Sequence, residues 1–241
     1  MTNPEPHLLI FETSGRTGLV AIAQGSRILG ARRLEEARRH ARDLAPAVAA
    51  LLAEVGWGAR DLAGVIVSRG PGSYTGLRVG IMSAKTFAYA TGCALIAVDT
   101  FAAIARQVPA EALSVDVLAD AQQDKIYVQR YSRPDSAAPL IATAPLNIQR
   151  IADWLVDPQP AAWITGPGLR VLGERRPAGC QVVAAELWDP QPESLVEIGL
   201  ARYQTGERDD FWSVEPLYLR PSAAEEKWQE RGTPRRPEAG G

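Results

Sequence analysis

Residues 68–90 read SRGPGSYTGLRVGIMSAKTFAYA, and this stretch decides the fold. The preceding residues 64–67 form a short apolar run rich in β-branched side chains, which is typical of a buried strand in a parallel sheet. Gly70 and Gly72 then permit backbone angles that other residues avoid, while Pro71 fixes one φ. The stretch therefore predicts a strand, a stiff turn and a helix in direct succession.

The helix after the turn has a pattern of its own. Ser73 or Thr75 can cap its first turn by accepting a hydrogen bond from a free backbone N–H, and Gly92 is placed to end it. Its buried face is predicted by apolar residues at helical spacing, namely Leu77, Ile81, Ala84 and Ala88.

A glycine turn at a helix N-terminus is typical of an anion site, because free N–H groups and the helix dipole favour negative charge. A Walker-type phosphate loop needs Lys and then Ser or Thr after its last glycine, where this chain has Leu77 and Arg78. Three residues separate Gly72 from Gly76, so the dinucleotide fingerprint G-x-G-x-x-G is missed by one, although Asp99 could act as its ribose-binding acid. A structural turn that allows close helix packing is the favoured interpretation, and direct phosphate binding is the alternative.

The turn also resembles the signature of a known family. Its residues are Gly70, Pro71, Gly72, Ser73, Tyr74, Thr75, Gly76, Leu77, Arg78, Val79 and Gly80, followed by Ala84 and Lys85. They resemble the G-P-G-S-F-T-G-L-R-I-G signature of the TsaB (YeaZ) family, the non-catalytic partner subunit in bacterial synthesis of threonylcarbamoyladenosine on tRNA. Residues 215–221 are similar to the family's closing P-x-Y-L-R, and we expect Tyr218 and Leu219 to anchor that segment on the body.

The resemblance implies an α/β fold of two ribonuclease-H-like lobes, as in the superfamily of actin, heat-shock proteins and sugar kinases. It implies an assembly subunit that binds a TsaD-like catalytic subunit, acts with a TsaE-like ATPase and reaches tRNA only through the complex. We expect no catalytic residue, no metal and no intrinsic cofactor, and weak nucleotide binding stays open. A homodimer is expected when the chain is alone.

Composition sets the outer limits. The chain has 241 residues, 46% of them hydrophobic and 22% charged, which is enough for one large domain or two small ones. A net charge of −2 gives no general attraction to nucleic acid. Cys93 and Cys180 are far apart in sequence and predict free thiols in a reducing compartment. The first apolar run is too short for a signal or membrane segment, so we expect a cytoplasmic protein.

The first lobe is predicted over residues 1–110, with the C-terminal segment docking back on it. Three strands open it, at residues 8–11, 19–23 and 28–34. In the superfamily that this lobe resembles, the first hairpin carries an acid that helps to position phosphate and metal. Glu12 stands at that position, where relatives usually have Asp, and its longer side chain argues against nucleotide chemistry.

A helix after residue 43 is predicted to carry two stripes. Asp43 is its expected cap, Pro46 lies in its first turn, and the bulky stripe that should face the sheet consists of Leu44, Val48, Leu51 and Val55. The second, smooth stripe consists of Ala41, Ala45, Ala49 and Leu52. We interpret the smooth stripe, together with Arg78 and Lys85, as a contact with a partner helix. The alternative is that alanine is present only because it is the best helix former.

The second lobe is predicted over residues 111–224, and residues 225–241 are predicted to be a disordered tail. Gln122 or Gln123 stands where the resembling family segment D-A-R-x-x-E-V-Y often has Arg, so an anion contact from that side chain is not expected. A second glycine turn, residues 166–168, is interpreted as a connector without a ligand. Strands are predicted at residues 113–119, 126–131, 161–165 and 182–185, and helices at residues 148–156 and 194–205.

Catalytic groups are sparse in this sequence. His7 and His40 are not spaced as a metal-ligand pair, whereas the resembling catalytic subunit carries His-x-x-x-His on a helix. The leading hypothesis is therefore a non-catalytic subunit. The alternative is a nucleotide-dependent enzyme, such as a small-molecule kinase, that uses residues 70–76 as a phosphate loop.

Overall fold

The computed structural model describes residues 4–34, 40–157 and 160–219. Its first sheet contains β1 (His7–Glu12), β2 (Leu19–Gln24), β3 (Arg27–Arg33), β4 (Gly64–Ser68) and β5 (Ala94–Val98). They lie in the order β3-β2-β1-β4-β5, with β1 to β3 antiparallel and β4 and β5 parallel to β1. The predicted three-stranded opening of the first lobe is confirmed.

Helices cover both faces of this sheet. They are α1 (His40–Val55), α2 (Tyr74–Thr91), α3 (Thr100–Arg106) and, from the end of the chain, α6 (Pro192–Gln204). Leu9 and Phe11 of β1 pack in the cluster that contains α1 and α2, whereas Leu8 and Ile10 pack with α3 and α6. Because β1 is buried on both faces, its sequence is a continuous apolar run rather than an alternating one.

The second sheet repeats the arrangement of the first. It contains β6 (Ser114–Asp120), β7 (Lys125–Ser132), β8 (Ile141–Ala142), β9 (Asn147–Arg150), β10 (Trp163–Thr165) and β11 (Gln181–Val182). Its order is β11-β10-β6-β7-β8, with β9 also on β7; β6 and β7 form an antiparallel hairpin, and β10 and β11 run parallel to β6. The short helices α4 (Ile151–Leu155) and α5 (Leu169–Leu172) complete it. Two lobes of the ribonuclease H type are thus present.

Both lobes also use a Gly-Pro-Gly turn, which follows β4 in the first lobe and β10 in the second. In the second lobe this turn, residues 166–168, leads directly into α5. A Cβ at Gly166 or Gly168 would lie closer than 3.0 Å to the backbone of Leu118 and Ala119. The turn therefore brings the helix against the end of the lobe's first strand, as a βα connector should.

The position of α6 corrects the predicted lobe boundary. Residues 194–205 were assigned to the second lobe, but Leu195 and Leu200 pack with Leu8 of the first. A Cβ at Gly199 would come closer than 3.0 Å to Ile66, so α6 lies directly on β4. Position along the chain does not decide which sheet a helix covers. Here α6 buries the face of the first sheet that lies opposite α1 and α2.

After α6, residues 207–219 return across the first lobe as a C-terminal strap. Asp209 N donates to Leu95 O (2.9 Å), and Ala97 N donates to Asp209 Oδ2 (2.7 Å). Arg202 Nη1 donates to Ala97 O (2.7 Å). These bonds satisfy backbone groups on the open edge of β5, an edge that would otherwise invite pairing with another chain. The predicted docking of the C-terminal segment on the first lobe is seen here.

Two local predictions were wrong, and one falls outside the described residues. The helix already includes His40, so Asp43 is not its cap and Pro46 lies in its interior. Residues 148–150, predicted as the start of a helix, belong to β9, because pairing with β7 provides partners for their backbone. The tail at residues 225–241 lies outside the described residues. None of the described helices is both long and apolar enough to cross a membrane.

Candidate functional site

The glycine turn and α2 have the predicted geometry. Ser73 is the N-cap, and its Oγ accepts a hydrogen bond from Gly76 N (3.2 Å). Gly92 ends the helix with a φ of 76°, and its N–H donates to Ala88 O (2.8 Å). The buried face consists, as predicted, of Leu77, Ile81, Ala84 and Ala88.

Three glycines of the motif face the loop that follows β1. A Cβ at Gly72 would lie closer than 3.0 Å to Ser14 O, and a Cβ at Gly76 or Gly80 would lie as close to Thr13. Real Cβ atoms do not approach other atoms this closely, so only glycine allows the helix to rest on this loop. The spacing of four residues between them places them on one face of the turn and helix.

The same loop occupies the N-terminal end of α2. Ser73 N donates to Ser14 O (2.7 Å), so this N–H is used within the protein rather than offered to a ligand. Asp99, the candidate ribose-binding acid, forms an ion pair with Arg69 through its Oδ1. These contacts favour the interpretation of the motif as a packing device over that of a phosphate loop.

The C-terminal strap ends on this helix. Tyr218 stacks on Tyr74 with 4.6 Å between ring centroids, and the Arg78 guanidinium lies 4.4 Å from the centroid of Tyr74. Arg78 Nε also donates to the Tyr218 hydroxyl (3.2 Å). Tyr218 is thus an anchor as predicted. Leu219, the other predicted anchor, is 42% exposed. Leu217 is held on the body instead, because its N–H donates a hydrogen bond to Arg69 O (2.8 Å).

The predicted partner stripe on α1 is only partly on the surface. Ala45 and Ala49 are exposed. Leu52 is buried in the core beneath α1, so it offers almost no surface to a partner and is removed from the predicted contact. The side chain of Ala41 lies outside the described residues. The bulky stripe faces the sheet as predicted.

The outer face of α2 adds apolar surface that the sequence analysis missed. Met82 is 58% exposed and Tyr89 is 69% exposed, beside exposed Arg78 and half-buried Lys85. The strap residue Trp212 lies next to Tyr89, with 6.1 Å between ring centroids. The signal was present in the sequence, since residues 78, 82, 85 and 89 recur at helical spacing, about 100° round the helix from the buried stripe. We call Ala45, Ala49, Met82 and Tyr89 the α1/α2 surface.

Glu12 is buried at the end of β1. Its Oε1 accepts hydrogen bonds from Ser14 N (2.6 Å) and Ser14 Oγ (2.5 Å), while its Oε2 has no hydrogen-bond partner among the described residues. Burial raises the pKa of the Glu12 carboxyl above its ordinary value, and the bonds from Ser14 oppose that rise. Glu12 therefore points inward and is not presented to a ligand as an open carboxylate.

Replacing Glu12 by Gln tests this environment. The pKa of Glu12 is higher in the folded state than in the unfolded state, so the folded protein holds this proton more tightly. The free energy of unfolding therefore falls as the pH rises above the ordinary Glu value. We expect Glu12→Gln to gain stability relative to wild type between acid and neutral pH, by at most about 1.4 kcal/mol per pH unit. Urea unfolding at several pH values measures it, with exposed Glu193→Gln as control. A difference that stays constant with pH would contradict the prediction.

The space between the lobes near Glu12 is nearly closed. Arg170 of α5 binds both carboxylate oxygens of Asp189 (2.9 and 2.6 Å), and Asp189 lies against Gly15. The remaining cavity has a volume of about 20 Å³, which is room for about one water. The side chain of Gln107 fixes this connection. Its Nε2 donates hydrogen bonds to Leu187 O and Asp189 O, and its Oε1 accepts them from Gln191 N and Ser194 Oγ.

The other predicted positions are not brought into this region. Gln122 and Gln123 are exposed in the β6–β7 turn, where both have positive φ. Among the described residues, no group of three or more His, Cys, Asp or Glu side chains could hold a metal ion. His7 stacks on Trp57, and His40 has no described side chain.

Comparison with known proteins agrees with this geometry. A family model described as TsaD, tRNA N6-adenosine threonylcarbamoyltransferase, matches residues 33–163. The solved structure of YeaZ from Pseudomonas aeruginosa superposes with a TM-score of 0.75 at 27% identity, covering 89% of this chain and all of that chain. Two lobes of this topology define a protein of the actin, heat-shock protein and sugar kinase superfamily.

Two relatives narrow the class further. An uncharacterised protein of Mycobacterium tuberculosis is 34% identical over 73% of this chain and 81% of its own length. The tRNA threonylcarbamoyladenosine biosynthesis protein TsaB of Bacillus subtilis is 25% identical over 92% of this chain and 98% of its own length. The chain belongs to the TsaB (YeaZ) family.

Proposed function

We propose that this chain is a non-catalytic subunit in the synthesis of threonylcarbamoyladenosine on tRNA. It binds a TsaD-like catalytic subunit through the α1/α2 surface, and the pair acts with a TsaE-like ATPase in the cytoplasm. The catalytic subunit transfers threonylcarbamoyl to the adenosine beside the anticodon, and tRNA is reached only through the complex.

The observation that carries the proposal is the α1/α2 surface itself. Both helices cover the same face of the first sheet and belong to one core cluster, so their outer sides lie on the same side of the lobe. Met82 and Tyr89 are large apolar side chains left mostly in solvent there, and contiguous exposed apolar surface marks interaction sites. Ala45 and Ala49 would let a helix approach closely, because they add little bulk.

The matched family model supports the kind of partner. It includes the catalytic threonylcarbamoyltransferases and spans residues 33–163, which contain both helices of the surface. A TsaD-like chain would therefore carry a related pair of helices, and two such pairs can pack against each other by pseudo-two-fold symmetry. The same surface could pair two copies of this chain when the catalytic subunit is absent.

The interior of the site supports a subunit without its own nucleotide chemistry. The motif glycines pack on Thr13 and Ser14, the cleft beside Glu12 holds about 20 Å³, and Asp189 adds a second carboxylate there. Phosphate groups would meet space that is already occupied. We therefore propose that the chain has no intrinsic cofactor.

A double substitution tests the surface. Ala45→Glu with Ala49→Glu places two carboxylates where an interface would bury them without partners, at a large desolvation cost. We expect binding to the TsaD-like subunit to weaken at least about 100-fold, or about 2.8 kcal/mol, measured by calorimetry. Thermal unfolding should change little, because both positions are exposed and Glu favours helices.

The control is Ala201→Glu, an exposed alanine of α6 on the opposite face of the first sheet. It should bind the partner like wild type. Unchanged binding by the double variant would rule out this surface. Saturable ATP binding by the isolated chain, with turnover, would support the kinase alternative instead. Light scattering of the wild type and the double variant shows whether self-association uses the α1/α2 surface.

A further inference from the structure

A second cavity lies between the lobes, away from Glu12 and from the α1/α2 surface. Its volume is about 390 Å³, within the range of small-molecule sites. It is bounded by the end of α3, by Glu197 of α6 and by the loop between β7 and β8. Its occupant would thus touch both lobes.

Two guanidinium groups line this cavity, and each has a partner within the protein. Arg133 donates from Nε to Ala112 O (3.0 Å) and from Nη2 to Pro109 O (2.5 Å). Arg106 Nη1 pairs with Glu197 Oε1 (3.2 Å). The described residues provide no side-chain partner for Nη1 of Arg133 or for Nε and Nη2 of Arg106. These N–H groups remain available to an acceptor.

The rest of the lining consists of Leu140 and small residues, with Ser136 among them. Leu140 and Ala105 are buried, and Ala138 and Pro139 lie beside them. The loop that carries the last two is shaped by Asp135, whose Oδ1 accepts from Ala137 N (2.9 Å) and Ala138 N (3.0 Å). The cavity therefore combines cationic donors with a wall that includes the apolar side chains of Leu140 and Pro139.

The charges decide which anion fits. Arg106, Arg133 and Glu197 sum to one positive charge, which a single negative charge neutralises. A carboxylate matches the planar fork of a guanidinium, and a short aliphatic body matches the wall formed by Leu140 and Pro139. We propose that this cavity binds a small aliphatic monocarboxylate, with its carboxylate on Arg106 and Arg133. The proposal is independent of the α1/α2 surface and of the partner that binds it.

Butyrate is a suitable probe, and butyramide is its neutral match. We expect calorimetric titration of the full chain to give at least about tenfold tighter binding for butyrate than for butyramide, since only butyrate forms charge-assisted hydrogen bonds. In amide NMR spectra, butyrate should shift resonances at Ala105, Arg133 and the loop before Leu140, and leave α2 unchanged.

The variant is Arg106→Gln, because its ion pair with Glu197 is partly exposed and adds little to folding. It should reduce butyrate affinity about tenfold. Arg60→Gln, on the exposed residues 59–61 of the first lobe, is the matched control and should bind like wild type. Equal binding of butyrate and butyramide, full affinity in Arg106→Gln, or tighter binding of inorganic phosphate than of butyrate would each overturn the proposal.

Discussion

Gly76→Ala should destabilise the protein by about 3 kcal/mol or more, although alanine is the better helix former by about 1 kcal/mol. The added methyl would lie closer than 3.0 Å to the carbonyl oxygen of Thr13, which is backbone and cannot turn aside as a side chain would. Either α2 moves off the loop or the loop moves, and both changes disturb a buried contact. Urea unfolding measures the loss.

Gly15→Ala is the matched control, because a Cβ there would meet its neighbours at an ordinary 3.6 Å. It should change stability by less than about 0.5 kcal/mol. A stable, fully folded Gly76→Ala protein would contradict the packing interpretation of the motif and return the glycines to a role in ligand approach. Because α2 carries half of the α1/α2 surface, Gly76→Ala should also weaken partner binding.

Local patterns were sufficient for β4 and α2. The apolar run of β4, the stripe from Leu77 to Ala88 and the glycine at residue 92 each depend on neighbours in sequence and were predicted correctly, and Ser73 was one of the two predicted caps. The favoured packing role of the glycines was also available from the sequence. Their contact, the loop at Thr13 and Ser14, was not, because it lies about 60 residues away in the chain.

Predictions that depended on tertiary burial were less reliable. Leu52 belongs to the smooth stripe by spacing, yet it lies in the core, because α1 packs with a wider buried face than one stripe. Leu219 was predicted as an anchor, but the path of the strap past Gly70 places Leu217 against the body instead. Sequence spacing indicates which residues share a face, but not how much of that face is covered.

The sequence analysis also missed a buried ion pair in the second lobe, because its partners lie on different strands. Asp116 of β6 is 1% exposed and accepts from Arg130 Nε (2.7 Å) and Nη2 (2.9 Å), and Trp154 Nε1 adds a third bond (3.2 Å). Hydrogen bonds from Arg130 to Asp116 raise the pKa of Arg130 above its ordinary value. The pair fixes the β6–β7 hairpin against α4.

Arg130→Met should cost about 3–5 kcal/mol, because it leaves the Asp116 carboxylate buried without its cation. The double variant Asp116→Leu with Arg130→Met should lose less than Arg130→Met alone, since the pair of charges is then removed together. A urea-unfolding double-mutant cycle that includes Asp116→Leu should give a coupling energy of at least about 2 kcal/mol. Arg32→Met, which breaks the exposed pair with Glu54, is the control and should cost about 1 kcal/mol or less. Strict additivity of the two single substitutions would show that the second lobe is held by apolar packing alone, with Asp116 and Arg130 acting independently of each other.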